Sequence, residues 1–254
     1  MIRIINQNSV TIIDGQVIKE KESGKKVKIN EKRCEKATNI DKILIDTSFI
    51  DVNIKAVDSG LIEANAIGQI GGYKGDEKLK FDFKVRNRQL MISINFDGCC
   101  HYSNLQINIH IPRKLFDEIS INTVSADVKL SGAISTKLLK IKTSSGDVWI
   151  TSGVVVEKIE VSSTSGDVKS EMNFTGAKIR CTSGDIKLEM NAKNDVNADI
   201  STTSGDIKMK FHNFKKLRLL PHTICGDVKN EYVESGKYIG DFTVATVTGD
   251  IRVM

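Results

Sequence analysis

The sequence predicts an all-β protein: a single-domain parallel β-solenoid, or β-helix, with an antiparallel β region in its N-terminal part. A short pattern, Ser-Gly-Asp-Val/Ile with small variations, occurs seven times in the second half of the chain. Successive copies lie 18 to 23 residues apart, which is the length of one supersecondary unit of a repeat protein. Around each copy, apolar and polar residues alternate and β-branched side chains are frequent, as in strands. The aspartates are Asp127, Asp147, Asp167, Asp185, Asp206, Asp227 and Asp250, and six of them follow a glycine, namely Gly146, Gly166, Gly184, Gly205, Gly226 and Gly249.

Each repeat is predicted to consist of a strand, a sharp corner at the Gly-Asp pair, and a second short strand. In the copy at Asp147, Leu139, Ile141 and Val148 occupy positions that are apolar in the other copies too, so these positions are expected to face the core. The glycine before the aspartate is expected to have a positive φ, which a residue without a Cβ adopts at little steric cost. Ala126 is the exception among the seven copies. The aspartate is expected to accept hydrogen bonds from backbone N–H groups of its own turn.

A cation stands two residues after the aspartate in six of the seven copies, on the outward side of the second strand. These cations are Lys129, Lys169, Lys187, Lys208, Lys229 and Arg252, and the remaining position holds the one tryptophan of the chain, Trp149. A basic row beside the acidic row is expected to neutralise it. The alternative is that the aspartates bind calcium, but one carboxylate per coil with a lysine beside it offers too few oxygen ligands. We therefore predict no metal and no other cofactor.

An upstream segment follows the same register: Ile43-Leu-Ile-Asp-Thr-Ser-Phe-Ile-Asp51-Val-Asn-Ile54. Together with the Thr-Ser-Gly-Asp-Val/Ile-Lys repeats, it resembles the bacterial putative adhesin family, a domain of unknown function built from Ser-Gly-Asp-Val/Ile β-strand repeats. The resemblance covers about residues 40–254 and implies a right-handed parallel β-solenoid. It also implies a surface-binding role, and it supplies no catalytic residues to transfer to this chain.

The chain divides into three parts at the level of sequence. Residues 1–40 are polar and charged and are predicted to form an N-terminal arm or cap, with Val10–Ile13 as a strand and Asp14-Gly15 as a turn. Residues 41–115 are predicted to form irregular strands and a hairpin, and residues 116–254 the regular coils.

Within the irregular part, Lys80–Arg86 and Leu90–Phe96 read as the two strands of an antiparallel hairpin. The segment Leu105–Ile111 alternates strictly and is expected to be a strand that Pro112 ends. Residues Lys114–Glu118 are expected to form a single helical turn. The glycine-rich Gly71–Gly75 lacks the Lys-Ser/Thr ending of a phosphate-binding loop and is predicted to be a turn.

The five cysteines do not form a disulfide framework. Cys181 and Cys225 occupy columns otherwise filled by threonine and serine, so both are expected to be small buried side chains. Cys99-Cys100-His101 has metal-binding residue types but not the spacing of a zinc site. No apolar run of 18 residues occurs, so no membrane span is predicted. The N-terminus lacks a secretory signal, which predicts a cytoplasmic location, or the cell surface if an anchor has been removed.

Sequence motifs of catalysis are missing, since the chain has no G-x-S-x-G elbow and no H-E-x-x-H helix. Its 37 basic and 32 acidic residues are interspersed, so no nucleic-acid partner is predicted. The sequence favours a non-enzymatic scaffold or binding domain that presents a rigid repeat face to an unknown protein or glycan partner. The alternative is a carbohydrate-binding or carbohydrate-cleaving β-helix protein. Flat ladders of lysine, serine and threonine would favour the scaffold, and a cleft with acids and aromatics the enzyme.

The chain ends on the short strand that follows the seventh corner, Asp250–Met254. If this strand closes the solenoid, the edge of the core near Phe242, Val244, Ile251 and Val253 is left open. Such an end needs a cover, and the sequence therefore predicts a homodimer through the C-terminal end of the solenoid.

Overall fold

The structure is a computed structural model that describes residues 3–5, 10–13, 16–19, 25–73, 78–97, 102–190, 196–212, 217–231 and 240–254. Strands make up most of these residues, and the helical structure among them is one 3₁₀ turn at Ala37–Asn39. The all-β prediction is confirmed. The described part of the chain contains no helix that is both long enough and apolar enough to span a membrane.

The strands that precede the regular coils are β1 (Arg3–Ile5), β2 (Val10–Ile13), β3 (Gln16–Lys19), β4 (Lys25–Lys36), β5 (Lys42–Thr47), β6 (Asp51–Val57), β7 (Leu61–Tyr73), β8 (Lys78–Arg86), β9 (Gln89–Asp97), β10 (Tyr102–Ser103) and β11 (Gln106–Pro112). The strands of the regular coils are β12 (Leu115–Thr123), β13 (Val128–Ser131), β14 (Ser135–Ser145), β15 (Val148–Ile150), β16 (Val155–Ser165), β17 (Val168–Ser170), β18 (Gly176–Ser183), β19 (Ile186–Met190), β20 (Asn197–Ser204), β21 (Ile207–Phe211), β22 (Leu217–Cys225), β23 (Val228–Asn230), β24 (Gly240–Thr248) and β25 (Ile251–Val253).

Two large sheets build the solenoid, one of ten strands and one of twelve. Each coil places one strand in the ten-stranded sheet, turns the corner, and places its next strand in the twelve-stranded sheet. Neighbouring coils pair in parallel and in register, so that Ile141 lies between Ile121 and Val161, and Val148 lies between Val128 and Val168. The parallel β-solenoid is therefore confirmed.

The hydrophobic core runs the length of the solenoid, and the repeat columns that the sequence placed inward line it. Ile141 is 2% exposed and Val148 is 0% exposed, and their counterparts in the neighbouring coils are equally buried. The upstream segment joins the same columns, because Ile45 pairs with Ile121 and Val52 pairs with Val128. Stacked β-branched side chains suit this core, since each fills the space above the residue of the same kind in the coil below.

The coils do not follow one another in space in their chain order. The spatial order is β9/β11, β5/β6, β12/β13, β14/β15, β16/β17, β18/β19, β20/β21, β24/β25 and β22/β23. At each end, the outermost of these coils and the coil inside it are therefore exchanged relative to their chain order.

The predicted C-terminal edge is wrong for this reason. Phe242, Val244, Ile251 and Val253 belong to the coil inserted between two others, and each of them is at most 1% exposed. The end of the solenoid is the coil of β22 and β23, where Val228 is 44% exposed. A dimer through the C-terminal end stays a prediction, and its contact surface would be β22 and β23.

The inserted coil has the better side chains for an interior position. At the two matching inward positions it carries Val244 and Val253, whereas the end coil carries Pro221 and Asn230. A proline lacks the N–H that a central strand donates, and it is tolerated on an edge strand. Pro221 therefore fits the end coil, where β22 has one neighbouring strand among the described residues.

The N-terminal end carries the antiparallel region that the sequence predicted. The hairpin is confirmed, because β8 and β9 pair antiparallel from Lys78↔Asp97 to Arg86↔Gln89. The strand at Leu105–Ile111 is confirmed as β11, with Pro112 as its last residue. β7 and β4 add antiparallel strands beside β11, and β1–β3 form a separate three-stranded sheet that includes the predicted strand Val10–Ile13.

The predicted helical turn at Lys114–Glu118 is wrong. From Leu115 onward this segment is strand β12, which pairs with β14, and Phe116 is fully buried. The Lys114 ammonium donates to the carbonyl of Ala37 at 2.9 Å and to that of Ile40, so it joins this strand to the 3₁₀ turn. Residues 71–73 of the predicted glycine-rich turn belong to β7 instead, and residues 74 and 75 lie outside the described residues, as does the predicted turn at residues 14 and 15.

The corner glycines have the predicted positive φ, between +135° and +157° for the six of the Gly-Asp pairs. Close stacking adds a second requirement. A Cβ on Gly184 would lie 2.2 Å from the carbonyl oxygen of Gly166 in the coil below, closer than atoms can approach. Ala126 keeps a negative φ, so the first regular corner has a different backbone.

We expect Gly184→Ala to lower the free energy of unfolding by about 3 kcal/mol, because it adds both backbone strain and a clash with a neighbouring backbone. Gly60→Ala is the matched control, since a methyl group there would meet nothing within 4 Å and the φ of Gly60 is outside the left-handed region. We expect the control to stay within about 0.5 kcal/mol of wild type in urea unfolding. Equal losses in the two variants would contradict the corner geometry.

Candidate functional site

The aspartate row forms a continuous hydrogen-bonded ladder. The Asp147 carboxylate accepts a hydrogen bond from the backbone N–H of Asp167 in the next coil at 2.8 Å, and the Asp167 carboxylate accepts from Asp185 N–H at 2.9 Å. The same contact recurs at 2.8 to 3.0 Å from Asp51 at one end to Asp227 at the other. The expectation of a bond within the turn is therefore wrong, because the donor belongs to the neighbouring coil.

The rest of the corner motif is explained by two further contacts between coils. The Gly166 N–H donates to the carbonyl of Ser183 at 3.1 Å. The Thr202 hydroxyl donates to the carbonyl of Gly184 at 3.1 Å, and Thr246 and Thr223 do the same one and two coils further along. The serine, glycine and aspartate of the pattern thus each contribute a specific atom to the stacking of one coil on the next. The threonine hydroxyl does so at the three coils named, whereas the equivalent hydroxyls of Thr123, Thr143 and Ser163 are buried without a hydrogen-bond partner among the described residues.

The cations beside the aspartates do not neutralise them by direct contact. None of Lys129, Lys169, Lys187, Lys208 and Arg252 has a carboxylate within 4.0 Å in the described part of the chain, whereas Lys229 pairs with Glu231 at 2.7 Å. The aspartates turn one oxygen toward the neighbouring backbone and leave these cations without direct partners.

We call the column Lys129, Trp149, Lys169, Lys187, Lys208, Arg252 and Lys229 the basic strip. Its members lie in register on the outer face of the twelve-stranded sheet, one per coil, about 4.8 Å apart. All of them are exposed except Trp149, which is half-buried. Trp149 lines a shallow depression of about 370 Å³ together with Lys129, Lys169, Thr151 and Glu171.

A second depression, of about 310 Å³, lies beyond the strip and contains the acidic residues Glu171 and Glu189 with His212. His212 Nε2 lies 2.7 Å from Glu189 Oε1, and Lys210 Nζ lies 3.4 Å from the same oxygen. The hydrogen bond from His212, with smaller contributions from Lys210, lowers the pKa of Glu189 below its ordinary value. The carboxylate is thereby held in its charged form.

The cysteines divide between the core and the surface. Cys181 is buried, and burial raises the pKa of its thiol to about 12, so it has no nucleophilic character at neutral pH. The expectation for Cys225 is wrong: it is exposed, because the serine column before the corner glycines points to solvent. The cluster Cys99-Cys100-His101 lies outside the described residues, and the described ones contain no group of three metal-ligating side chains.

The predicted register of Asp51 with the seven repeats agrees with its place in the ladder, where its carboxylate accepts a hydrogen bond from Asp127 N–H at 3.0 Å. The donor to each aspartate is not predicted, because periodicity identifies which residues share a face and not which backbone groups lack partners.

The chain belongs to the Toastrack DUF4097 family, which matches residues 40–254. This family membership confirms the resemblance and the repeat fold that it implied. None of the curated proteins is similar enough in sequence to match this chain.

Several solved structures are similar to this chain at low sequence identity. A putative adhesin from Bacteroides fragilis is 14% identical, with a TM-score of 0.50 over 89% of this chain and 97% of that one. A putative adhesin from Parabacteroides distasonis is 15% identical, with a TM-score of 0.45 over 88% and 98%. A structure from the same species described as a putative lipid binding protein is 13% identical, with a TM-score of 0.49 over 89% and 97%.

We expect Asp185→Ala to lower the free energy of unfolding by about 1 to 2 kcal/mol, because it leaves the Asp206 N–H without its charged acceptor. Asp227→Ala is the control, since Asp227 lies in the end coil and no described amide donates to its carboxylate. We expect it to unfold within about 0.5 kcal/mol of wild type in urea. A larger loss at Asp227 than at Asp185 would contradict the ladder.

Calcium should leave the melting temperature unchanged. One oxygen of each laddered aspartate is already bonded to a backbone N–H, and one carboxylate per coil is far from the six to eight oxygens that calcium takes. Differential scanning calorimetry in millimolar calcium and in excess chelator measures this directly. A shift of several degrees between the two would overturn the structural assignment of the row.

Proposed function

We propose that this protein is a non-enzymatic binding scaffold that presents a rigid repeat face to a partner. The observation that carries the proposal is the register of the outward side chains. In the twelve-stranded sheet, Lys169 lies in register with Lys187, and Lys187 lies in register with Lys208 on the next coil. A column of this kind holds its side chains at fixed intervals, which suits recognition of an extended partner without rearrangement.

A second outward column has the same regular order. Serine and threonine line the outer corner in the same way as the lysines, with Ser145, Ser165 and Ser183 stacked at successive coils. Ladders of lysine, serine and threonine are the pattern that favours a scaffold over an enzyme. Membership of the Toastrack DUF4097 family and structural similarity to a putative adhesin from Bacteroides fragilis support a role of this class.

The alternative is a carbohydrate-cleaving enzyme, and the depression at Glu189 and His212 is the place in the described structure to look for it. Two carboxylates, Glu171 and Glu189, lie on neighbouring coils there. A glycosidase needs one carboxyl group that stays protonated, with a raised pKa. Glu189 has the opposite shift, and no tryptophan, tyrosine or phenylalanine lines the depression among the described residues. These observations favour binding without cleavage.

The test is to incubate the protein with a panel of neutral and acidic polysaccharides and to measure both retention and release of reducing ends. We expect retention of at least one class and no reducing ends above the buffer control. Glu189→Gln is the matched variant, because it keeps the shape of the side chain and removes the carboxylate that cleavage would need. Release of reducing ends by wild type that is lost in Glu189→Gln would replace the scaffold with an enzyme.

A further inference from the structure

The basic strip contains five cations that lack direct acidic partners in the described structure. They are Lys129, Lys169, Lys187, Lys208 and Arg252. Exposed lysines elsewhere on the solenoid include paired ones, such as Lys137 with Asp117 at 2.8 Å, and ones without an ion pair among the described residues, such as Lys142. The strip differs from them because its cations lie in register on successive coils, so that they are available together to an external anion.

The geometry of the strip is that of a line. One side chain projects per coil, and the coils are about 4.8 Å apart, so the charges repeat at a constant interval along the solenoid axis. The line has one interruption, Trp149, which pairs in register with Lys129 on one side and with Lys169 on the other. A half-buried indole between two lysines offers an apolar contact surface within a run of positive charge.

Carboxylates border the strip on both sides. The aspartate ladder runs along one side, and the two glutamates Glu171 and Glu189 lie on the other, where Glu189 also contacts Lys210 and His212. The flanking carboxylates repel every polyanion, so discrimination rests on hydrogen-bond donors. A DNA backbone has none and an RNA backbone has one 2′-hydroxyl per nucleotide, whereas each uronate residue of a polysaccharide has at least two hydroxyls that can donate to the carboxylates. Nucleic acids also stack successive bases on several aromatic side chains, and the strip has a single one. The flanking acids and the lone indole thus select for a sugar polymer.

We propose that the basic strip binds a linear acidic polysaccharide. The carboxylates of its uronate residues contact Lys169, Lys187 and Lys208, a sugar ring packs against Trp149, and sugar hydroxyls donate to the bordering carboxylates. This inference rests on the proposed binding function and names its surface and its ligand class.

Trp149 makes the proposal directly measurable, because it is the one tryptophan of the chain and its fluorescence reports on the strip alone. We expect polygalacturonate to change that fluorescence saturably at low ionic strength, and added salt to weaken the binding. Unchanged fluorescence together with no retention on a polygalacturonate column overturns the proposal. Retention of another polysaccharide class without release of reducing ends would still support the scaffold in that case, so the two failures are distinguishable.

Neutralising variants locate the site. Lys169→Gln/Lys187→Gln removes two strip cations, and Lys142→Gln/Lys158→Gln removes two exposed lysines from the outer face of the ten-stranded sheet, which also lack ion pairs in the described structure. Both pairs change the net charge equally. We expect the first to weaken polygalacturonate binding about tenfold and the second by less than about twofold. Equal losses of affinity in the two double variants would show that net charge governs binding. They would overturn the basic strip as the binding site.

The tryptophan and the polymer class are tested separately. Trp149→Lys restores the basic repeat and adds a cation, yet we expect it to weaken retention on polygalacturonate, because the sugar loses its packing surface. Stronger retention would overturn the role of the indole. Single-stranded polycytidylate is the competing polymer, and binding as tight as that of polygalacturonate, lost in Lys169→Gln/Lys187→Gln, would overturn the choice of a polysaccharide.

Discussion

The hydrogen bond from each corner aspartate to the backbone of the next coil is the contact on which the rest of the structure depends. Regular parallel pairing satisfies the backbone along the strands, but at the corner the chain leaves strand geometry and the aspartate N–H has no carbonyl to meet. The carboxylate of the coil below takes the place of that carbonyl, at 2.8 Å between Asp147 and Asp167. At the same corner the coils approach so closely that the glycine has no room for a Cβ, and the Thr202 hydroxyl reaches the carbonyl of Gly184. The residues of the motif therefore act together in stacking one coil on the next.

The register of the repeat makes most of the fold predictable. Period-two alternation counted from each aspartate places Ile141 and Val148 in the core, and it aligns the upstream strand at Ile43–Ile54 with the regular coils. The sheets and their parallel pairing follow from these columns, because a shift of one residue would turn every core side chain to the solvent. The hairpin of β8 and β9 can be predicted from the sequence for a different reason. Two alternating runs separated by Asn87-Arg88 meet the requirements of a tight turn, and both turn residues have a positive φ.

The order of the coils cannot be read in this way, since a repeat pattern identifies equivalent positions and not neighbours. The coil at 240–253 lies inside the coil at 217–230 because Val244 and Val253 are apolar at the inward positions where the end coil has Pro221 and Asn230. Pro221 and Asn230 are therefore the residues in the sequence that mark the end coil. The segment from Lys114 is difficult on similar grounds: its local residue types allow a turn, but burial of Phe116 and pairing with β14 decide for a strand.

The stacking of the coils that builds the core also fixes the positions of the outward side chains. Once the aspartate carboxylates turn toward the neighbouring backbone, the residues two positions further along project from the sheet without direct acidic contacts, and their spacing is that of the coils. A flexible loop that displayed the same cations would lose conformational entropy on meeting a partner, whereas a solenoid has already ordered their backbone during folding. Because the aspartates bond the backbone, the cations of the basic strip stay available to an external anion. For this reason a chain without a recognisable catalytic constellation in its described part still carries a defined candidate binding surface, in which Trp149 is the position that departs from the repeat.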